Sequence, residues 1–158
     1  MILAIDPGSS LSALVWYDEH DGRVVEKMKI DNDEALRLLR ARRDSADVLA
    51  IEMAESFGAK VWNQVFVTVL WTGRFLEAWR GRFVLVTRRE VKMHVAGSGR
   101  ADDAQIRNCL IERFGGQAAL GTKDAPGPLF GITADCWQAL AIAVTHVEQP
   151  ADATRMHA

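Results

Sequence analysis

Three acidic residues occupy positions from which they could hold a divalent metal ion. Asp6 follows the apolar run Ile2–Ile5, and Glu52 follows a second apolar run, Val48–Ile51. If these runs form neighbouring strands, both carboxylates lie beyond the same end of one sheet. Asp135 stands in the first turn of the last helical segment, which must pack on that sheet to bury its apolar stripe. Carboxylate oxygens from two strands and a helix are the donors that Mg²⁺ prefers, with substrate phosphates and water completing the shell.

Each of these acids also has an ordinary structural explanation. Asp6-Pro7-Gly8 is favourable turn chemistry, and Glu52 could be a surface charge at a strand end. Asp135 could be an acid favoured by the positive end of a helix. The combination is far more specific than any one of the three, and it predicts a metal site.

The apolar periodicity predicts an α/β fold with a five-stranded mixed sheet and helices on both faces. Strands are expected at 2–5, 13–17, 24–30, 48–51 and 83–86, and helices at 33–43, 61–79, 102–114 and 133–147. Short connections make the first three strands an antiparallel meander. The helix at 61–79 is apolar nearly all round, which indicates a subunit interface. Trp62, Trp71 and Trp79 are therefore interpreted as core or interface residues rather than base-stacking platforms.

Composition and charge restrict the class of protein. The 158 residues are 49% hydrophobic and 25% charged, which predicts one domain over 1–150 and a short tail at 151–158. Cys109 and Cys136 are expected to be reduced thiols. No secretion signal is visible, and the longest charge-free stretch, 61–73, is shorter than a membrane span. We therefore expect a cytoplasmic protein that does not associate with membranes.

The net charge of −2 argues against indiscriminate binding to nucleic acid, but the charge is unevenly distributed. Residues 74–100 contain seven basic residues against two acidic ones, which predicts a local DNA-binding patch. Its expected phosphate contacts are Arg74, Arg88, Arg89, Lys92, His94 and Arg100, with Ser98 in a glycine-rich loop that permits close approach. A solvated helix face is an equally ordinary explanation for Arg88 and Arg89. The histidines at 20, 94 and 146 have no metal-ligand spacing, so zinc is not expected.

The sequence resembles the RuvC family of Holliday junction resolvases, in the short form typical of bacteriophages and prophages. Four segments carry the resemblance, in the family's order: 3–8 (LAIDPG), 49–52 (LAIE), 91–106 with its Val-Lys and Gly-Ser-Gly motifs, and 135–143. The resemblance implies an RNase H-like fold, a homodimer, and hydrolysis of two symmetric phosphodiesters at a four-way DNA junction. It also implies two Mg²⁺ or Mn²⁺ ions, with Asp6 as the central ligand, Glu52 as the second carboxylate and Asp135 as the first acid of the last helix.

Two departures from the family pattern concern the site. The family has a second acid three residues after the first on its last helix, where this chain has Gln138. Gln138 would share a helical face with Asp135 and could supply a neutral oxygen ligand or a hydrogen bond. In the basic segment, Asp103 replaces a family lysine, while Lys92 is retained and Arg100 could substitute for the missing charge.

Other functions remain open at this stage. Asp6-Pro7-Gly8-Ser9-Ser10 also resembles the phosphate-binding hairpin of actin-like phosphotransferases and ATPases, although these need two such subdomains and a much longer chain. A less specific nuclease for branched or flapped DNA would share the fold. A junction-binding protein without catalysis is a further alternative, favoured by Gln138.

Overall fold

The computed structural model describes residues 1–55 and 63–149, and the backbone of 156–157. The expectations for Val61 and Trp62, at the start of the long helix, lie outside the described residues. Within the described part, no helix combines the length and apolar character needed to cross a bilayer.

A mixed sheet forms the centre of the molecule, as predicted. Its strands are β1 (Ile2–Asp6), β2 (Leu11–Asp18), β3 (Arg23–Asp31), β4 (Val48–Met53), β5 (Phe83–Thr87) and the two-residue β6 (Met156–His157). The order across the sheet is β3-β2-β1-β4-β5-β6. β1, β2 and β3 form the expected antiparallel meander, and β4 and β5 continue the sheet in parallel with β1. The five predicted strands are confirmed; β6, in the segment expected to be a tail, adds a short antiparallel edge to β5.

Helices cover both faces of the sheet, which also confirms the predicted layers. They are α1 (Asn32–Ala41), α2 (Asn63–Trp79), α3 (Arg88–Ala96), α4 (Asp103–Arg113), α5 (Gln117–Leu120) and α6 (Cys136–Glu148), with a 3-10 turn at Arg43–Ser45. β1 alternates between two cores: Ile2 and Ala4 belong to the core that includes α6, and Leu3 and Ile5 to the core that includes α1 and α2. α6 is the central helix, because it packs on β1, β2 and β4 and is buried along most of its length.

Helix α3 is the main difference from the prediction, which placed no separate helix directly after β5. Thr87 caps it: the Thr87 hydroxyl accepts a hydrogen bond from the Glu90 backbone amide, and the Glu90 carboxylate accepts one from the Thr87 amide. The helix ends at Gly97, whose φ of 68° is the left-handed conformation that favours glycine. Only Val91 and Val95 of α3 are buried, so its apolar periodicity is weak. α3 places the basic segment beside the ends of β4 and β5.

The tryptophans and cysteines behave largely as the sequence predicts. Trp79 is buried in the core, and its indole nitrogen donates to the Arg82 carbonyl at 3.0 Å. Trp71 lies against Phe75 in the same core. Cys109 and Cys136 are both free.

Candidate active site

Asp6 and Glu52 are neighbours at one end of the sheet. Ile5 on β1 pairs with Ile51 on β4 in parallel register, and each acid is the next residue along its strand. Because paired positions share a face, both side chains point towards the core that contains α6. The Glu52 side chain is only 15% exposed. The adjacency predicted from the two apolar runs is therefore present.

The surroundings of the two carboxylates disfavour their charged forms. Burial, followed by the charge of Glu52, raises the pKa of Asp6 from 3.8 to about 7. Burial also raises the pKa of Glu52, although Arg88 opposes that shift through its charge and a hydrogen bond. A buried pair of anionic oxygens that repel one another is stabilised by a cation between them. The chemistry of this pair therefore fits Mg²⁺ or Mn²⁺, the ions that the family resemblance implies.

Asp135 reaches the same region from the start of α6. It follows Ala134, which has a φ of 46°, so the regular helix begins only at Cys136 rather than at Thr133. Its side chain is half exposed and makes no capping hydrogen bond, but forms an ion pair with Lys29 at 2.5 Å. The charge of Asp135 contributes to the raised pKa of Asp6.

Lys29 is a site residue that the sequence analysis did not identify. Asp6 on β1 pairs with Ala13 on β2, which in turn pairs with Lys29 on β3, so the three lie in one row across the sheet. Asp135 and Asp6 both raise the pKa of the Lys29 ammonium, and the hydrogen bond that Lys29 donates to Asp135 is the largest cause. No signal in the sequence pointed to it, because Lys29 is exposed and lies in the polar phase of β3, between the less exposed Met28 and Ile30.

Arg88 lies inside the acidic cluster. It is the first residue of α3, and its guanidinium donates to Glu52 Oε2 at 3.3 Å and forms a second, short ion pair with Asp103 at the start of α4. Its charge also opposes the raised pKa of Asp6. Arg88, expected to contact phosphate, and Asp103, the departure from the family pattern, thus form an ion pair.

The three predicted ligands, Asp6, Glu52 and Asp135, do not form a preorganised metal-binding site. Among residues 1–55 and 63–149, no group of three or more His, Cys, Asp or Glu side chains is arranged so that it could hold a metal ion. Asp6 and Glu52 form the buried pair, whereas Asp135 is engaged by Lys29. Gln138 is buried and lines, with Asp103 and Asp135, a pocket of about 510 Å³. The predicted metal-binding role of Gln138 stays a prediction.

Part of the predicted DNA-binding set gathers beside Glu52. Three basic residues, Arg88, Arg89 and Lys92, line a groove of about 570 Å³ together with Gly99 and the acids Glu52 and Glu55; we call it the basic groove. Ser98 and Arg100 follow in the exposed turn after α3, where the Ser98 hydroxyl accepts a hydrogen bond from the Arg100 amide at 3.3 Å.

Arg74 and His94 are placed elsewhere. Arg74 lies over the Trp71 ring at 4.0 Å and pairs with Asp33 at 3.7 Å, on the side of the sheet covered by α1 and α2. His94 is largely buried and contacts Glu148 at 2.7 Å, which connects α3 to the end of α6. The structure does not bring either residue into the basic groove.

The fold defined by this sheet and its helices is the RNase H-like α/β fold, in a RuvC-like arrangement. The solved structures it resembles include Thermus thermophilus RuvC, at 20% identity over 92% of each chain with a TM-score of 0.58. T. thermophilus RuvC in complex with a Holliday junction substrate matches at 22% identity over 92% of this chain and 91% of that chain, with a TM-score of 0.62. Fowlpox virus resolvase, in a complex with substrate Holliday junction DNA, matches at 14% identity over 94% of this chain and 99% of that chain, with a TM-score of 0.54. No protein-family model and no curated protein sequence matches the chain.

Proposed function

We propose that this protein is a metal-dependent, structure-selective DNA endonuclease that resolves four-way junctions by paired phosphodiester hydrolysis. The observation that carries the proposal is the adjacent, buried pair of Asp6 and Glu52 beside the basic groove. The likeness to solved structures described as RuvC or a resolvase, two of them with Holliday junction DNA, supports the same activity. We propose in particular that the enzyme cleaves four-way junctions rather than nicking DNA in general.

Phosphodiester hydrolysis needs an activated water, in-line attack and stabilisation of charge on the leaving oxygen. Two divalent cations, Mg²⁺ or Mn²⁺, would supply the activation and the charge stabilisation when bound. The protein's part is to provide clustered anionic oxygens from Asp6 and Glu52, with Asp135 and Gln138 as further oxygen donors. Asp6 suits the central role because β1 is hydrogen-bonded to a strand on each side, which fixes its backbone.

The basic groove would hold the phosphate backbone next to the carboxylates. Arg89 is exposed and Lys92 is partly so, and both line the groove beside Glu52. Phosphate contacts of this kind position the DNA without reading its sequence. Junction selectivity would therefore depend on how two such grooves are arranged in a dimer.

Lys92→Ala is expected to weaken junction binding and to lower the salt dependence of that binding. Loss of one phosphate contact reduces the slope of log affinity against log salt by about 1. The measurement is a fluorescence anisotropy titration at several salt concentrations, in chelator so that no cleavage occurs. Arg37→Ala is the matched control, because Arg37 is exposed on α1, on the other side of the sheet. Equal slopes for Lys92→Ala and the parent protein would contradict a phosphate contact at this position.

A homodimer is proposed through α2. Phe66 and Leu70 are 64% and 63% exposed and lie four residues apart on one helical face, next to the partly exposed Val67 and Val69. Two large apolar side chains that point into solvent favour a protein partner, and a resolvase needs two active sites. A symmetric contact between α2 and its copy in a second subunit would cover these side chains and would join two active sites in one dimer.

Leu70→Glu is expected to convert the dimer to a monomer, because it buries a charge in an apolar contact. The molar mass is measured by light scattering after size exclusion, and cleavage of both junction strands is expected to give way to single nicks. Val25→Glu is the control, since Val25 is 51% exposed on β3. Unchanged dimerisation of Leu70→Glu would remove α2 from the interface.

The experiment that tests the proposed function uses labelled four-way, Y-shaped and linear DNA with Mg²⁺, Mn²⁺ or chelator. Symmetric, metal-dependent nicks in the four-way junction are expected. Equal cleavage of Y-shaped DNA would indicate a general branched-DNA nuclease, and nucleotide hydrolysis without DNA would indicate a phosphotransferase.

A second candidate function is junction binding without catalysis. Two observations favour it: the described residues form no three-ligand metal group, and Lys29 and Arg88 neutralise Asp135 and Glu52. Tight junction binding with no cleavage in either metal would support this candidate and overturn the nuclease.

A further inference from the structure

Arg88 is held in the metal-free site by two carboxylates at once. Its guanidinium bonds Glu52 on β4 and Asp103 at the start of α4, and its charge also acts on Asp6. Its backbone is fixed, because Thr87 and Glu90 form the capping box of α3 and Thr87 pairs with Met53 on β4. Only the long side chain can therefore move without disturbing the fold.

The guanidinium and a divalent cation would compete for the negative charge of the same carboxylate, Glu52. The Arg88 Nη1 atom is 3.3 Å from Glu52 Oε2, so Arg88 is bound to one of the two oxygens of a carboxylate that would help to hold the cation. Two positive groups at this distance from one carboxylate also repel one another in a partly buried site. A divalent cation held by Glu52 would thus weaken the attraction between Arg88 and this carboxylate.

Arg88 can keep its ion pair with Asp103 when it leaves Glu52. The Asp103 side chain is 67% exposed, so the pair it forms with Arg88 lies towards solvent. Arg88 also lines the basic groove together with Arg89 and Lys92. A guanidinium released from Glu52 would therefore face the groove in which a DNA phosphate is expected.

From this geometry we infer that Arg88 is an internal counter-ion of the acidic site, which occupies Glu52 in the metal-free protein and moves to a DNA phosphate when a divalent cation binds. The inference rests on the proposed function. It makes Arg88 a positioning residue that couples metal binding to DNA binding. Such coupling is reciprocal: metal strengthens DNA binding, and DNA strengthens metal binding by the same factor.

The first test measures Mn²⁺ affinity without DNA, by calorimetry and by the electron paramagnetic resonance signal of free Mn²⁺. Arg88→Gln is expected to bind Mn²⁺ about tenfold more tightly than the parent protein, because the competing cation is gone. Arg88→Met, which keeps the apolar stem, is expected to do the same. Arg89→Gln removes an equal charge from the next residue, and a much smaller change is expected there. Equal effects at 88 and 89, or weaker binding by the Arg88 variants, would overturn the inference.

The second test measures junction affinity in chelator and in Ca²⁺. The gain in affinity from chelator to Ca²⁺ is compared for each protein with its own affinity in chelator, because Arg88 lines the basic groove and its loss is expected to lower junction affinity in both conditions. In Ca²⁺, the parent protein is expected to gain about tenfold more affinity than the variant does. An equal gain in both proteins would contradict the coupling role.

The two tests separate this inference from the proposed function. If the parent protein binds Mn²⁺ and cleaves junctions but the Arg88 variants behave like Arg89→Gln, only the counter-ion role fails. If the parent protein neither binds Mn²⁺ nor cleaves DNA, the proposed function fails and the inference fails with it.

Discussion

Replacing Asp6 by asparagine is expected to abolish junction cleavage while leaving junction binding intact or stronger. The substitution keeps the shape of the side chain but removes one anionic oxygen from the buried pair with Glu52. We expect the rate to fall by about 10³-fold or more, equivalent to roughly 4 kcal/mol of barrier. Binding should not weaken, because a negative charge is lost from a site that faces DNA phosphates. The rate is measured under single turnover in Mg²⁺, and binding is measured in chelator.

The matched control for this prediction is Asp124→Asn. Asp124 is exposed in the loop between α5 and α6, and its replacement removes the same charge without touching the carboxylate pair. Its cleavage rate should equal that of the parent protein. Metal-dependent nicking by purified Asp6→Asn at the parent rate would contradict the role of Asp6 as a metal ligand.

Asp6→Asn is also expected to stabilise the metal-free fold at neutral and alkaline pH. The folded pKa of Asp6 is raised from 3.8 to about 7, so between these values the carboxyl ionises on unfolding and thereby favours the unfolded state. The destabilisation begins near pH 4, grows as pH rises, and is complete above pH 7. Asparagine does not ionise, so the variant should gain about 2–4 kcal/mol in free energy of unfolding at pH 8 and almost nothing at pH 4.

Urea unfolding from pH 4 to 8 in chelator measures this difference. Addition of Mn²⁺ should then stabilise the parent protein and leave Asp6→Asn almost unchanged, because only the folded parent protein binds the ion well. A stability difference that is constant across the pH range would show that Asp6 is not destabilised by its surroundings.

The carboxylate pair could be predicted because the two strands that carry it are short and wholly apolar. Ile2–Ile5 and Val48–Ile51 suit strands buried on both faces, and such strands lie in the middle of a sheet. Once they are parallel neighbours, the residues that follow them must lie side by side. The five strands and the helices on both faces follow from the same periodicity.

Helix α3 and the start of α6 were harder to predict for local reasons. The Thr87–Glu90 capping box was present in the sequence, but α3 buries only two of its apolar residues, so the periodic signal is weak. The last helix starts late because Ala134 adopts a left-handed conformation, which its residue type does not suggest. β6 has only two residues, which is too short for the alternation of apolar and polar residues that predicts a strand.

The ion pairs of the site could not be predicted, because they depend on packing between distant elements. Lys29 reaches Asp135 through the register of β2 with β3, which includes an irregularity at Trp16 and Tyr17. Arg88 reaches Asp103 because α4 packs beside α3. Each partner alone is an ordinary charged residue, and the sequence contains many possible pairs.

The central claim is that Asp6 and Glu52 together hold a catalytic divalent cation. Its most direct test is an anomalous difference map from crystals of the protein soaked in Mn²⁺, recorded near the manganese absorption edge. We expect a peak bonded to carboxylate oxygens of both Asp6 and Glu52, with Arg88 displaced from Glu52. A well-occupied Mn²⁺ elsewhere, with Glu52 still bound to Arg88, would contradict it.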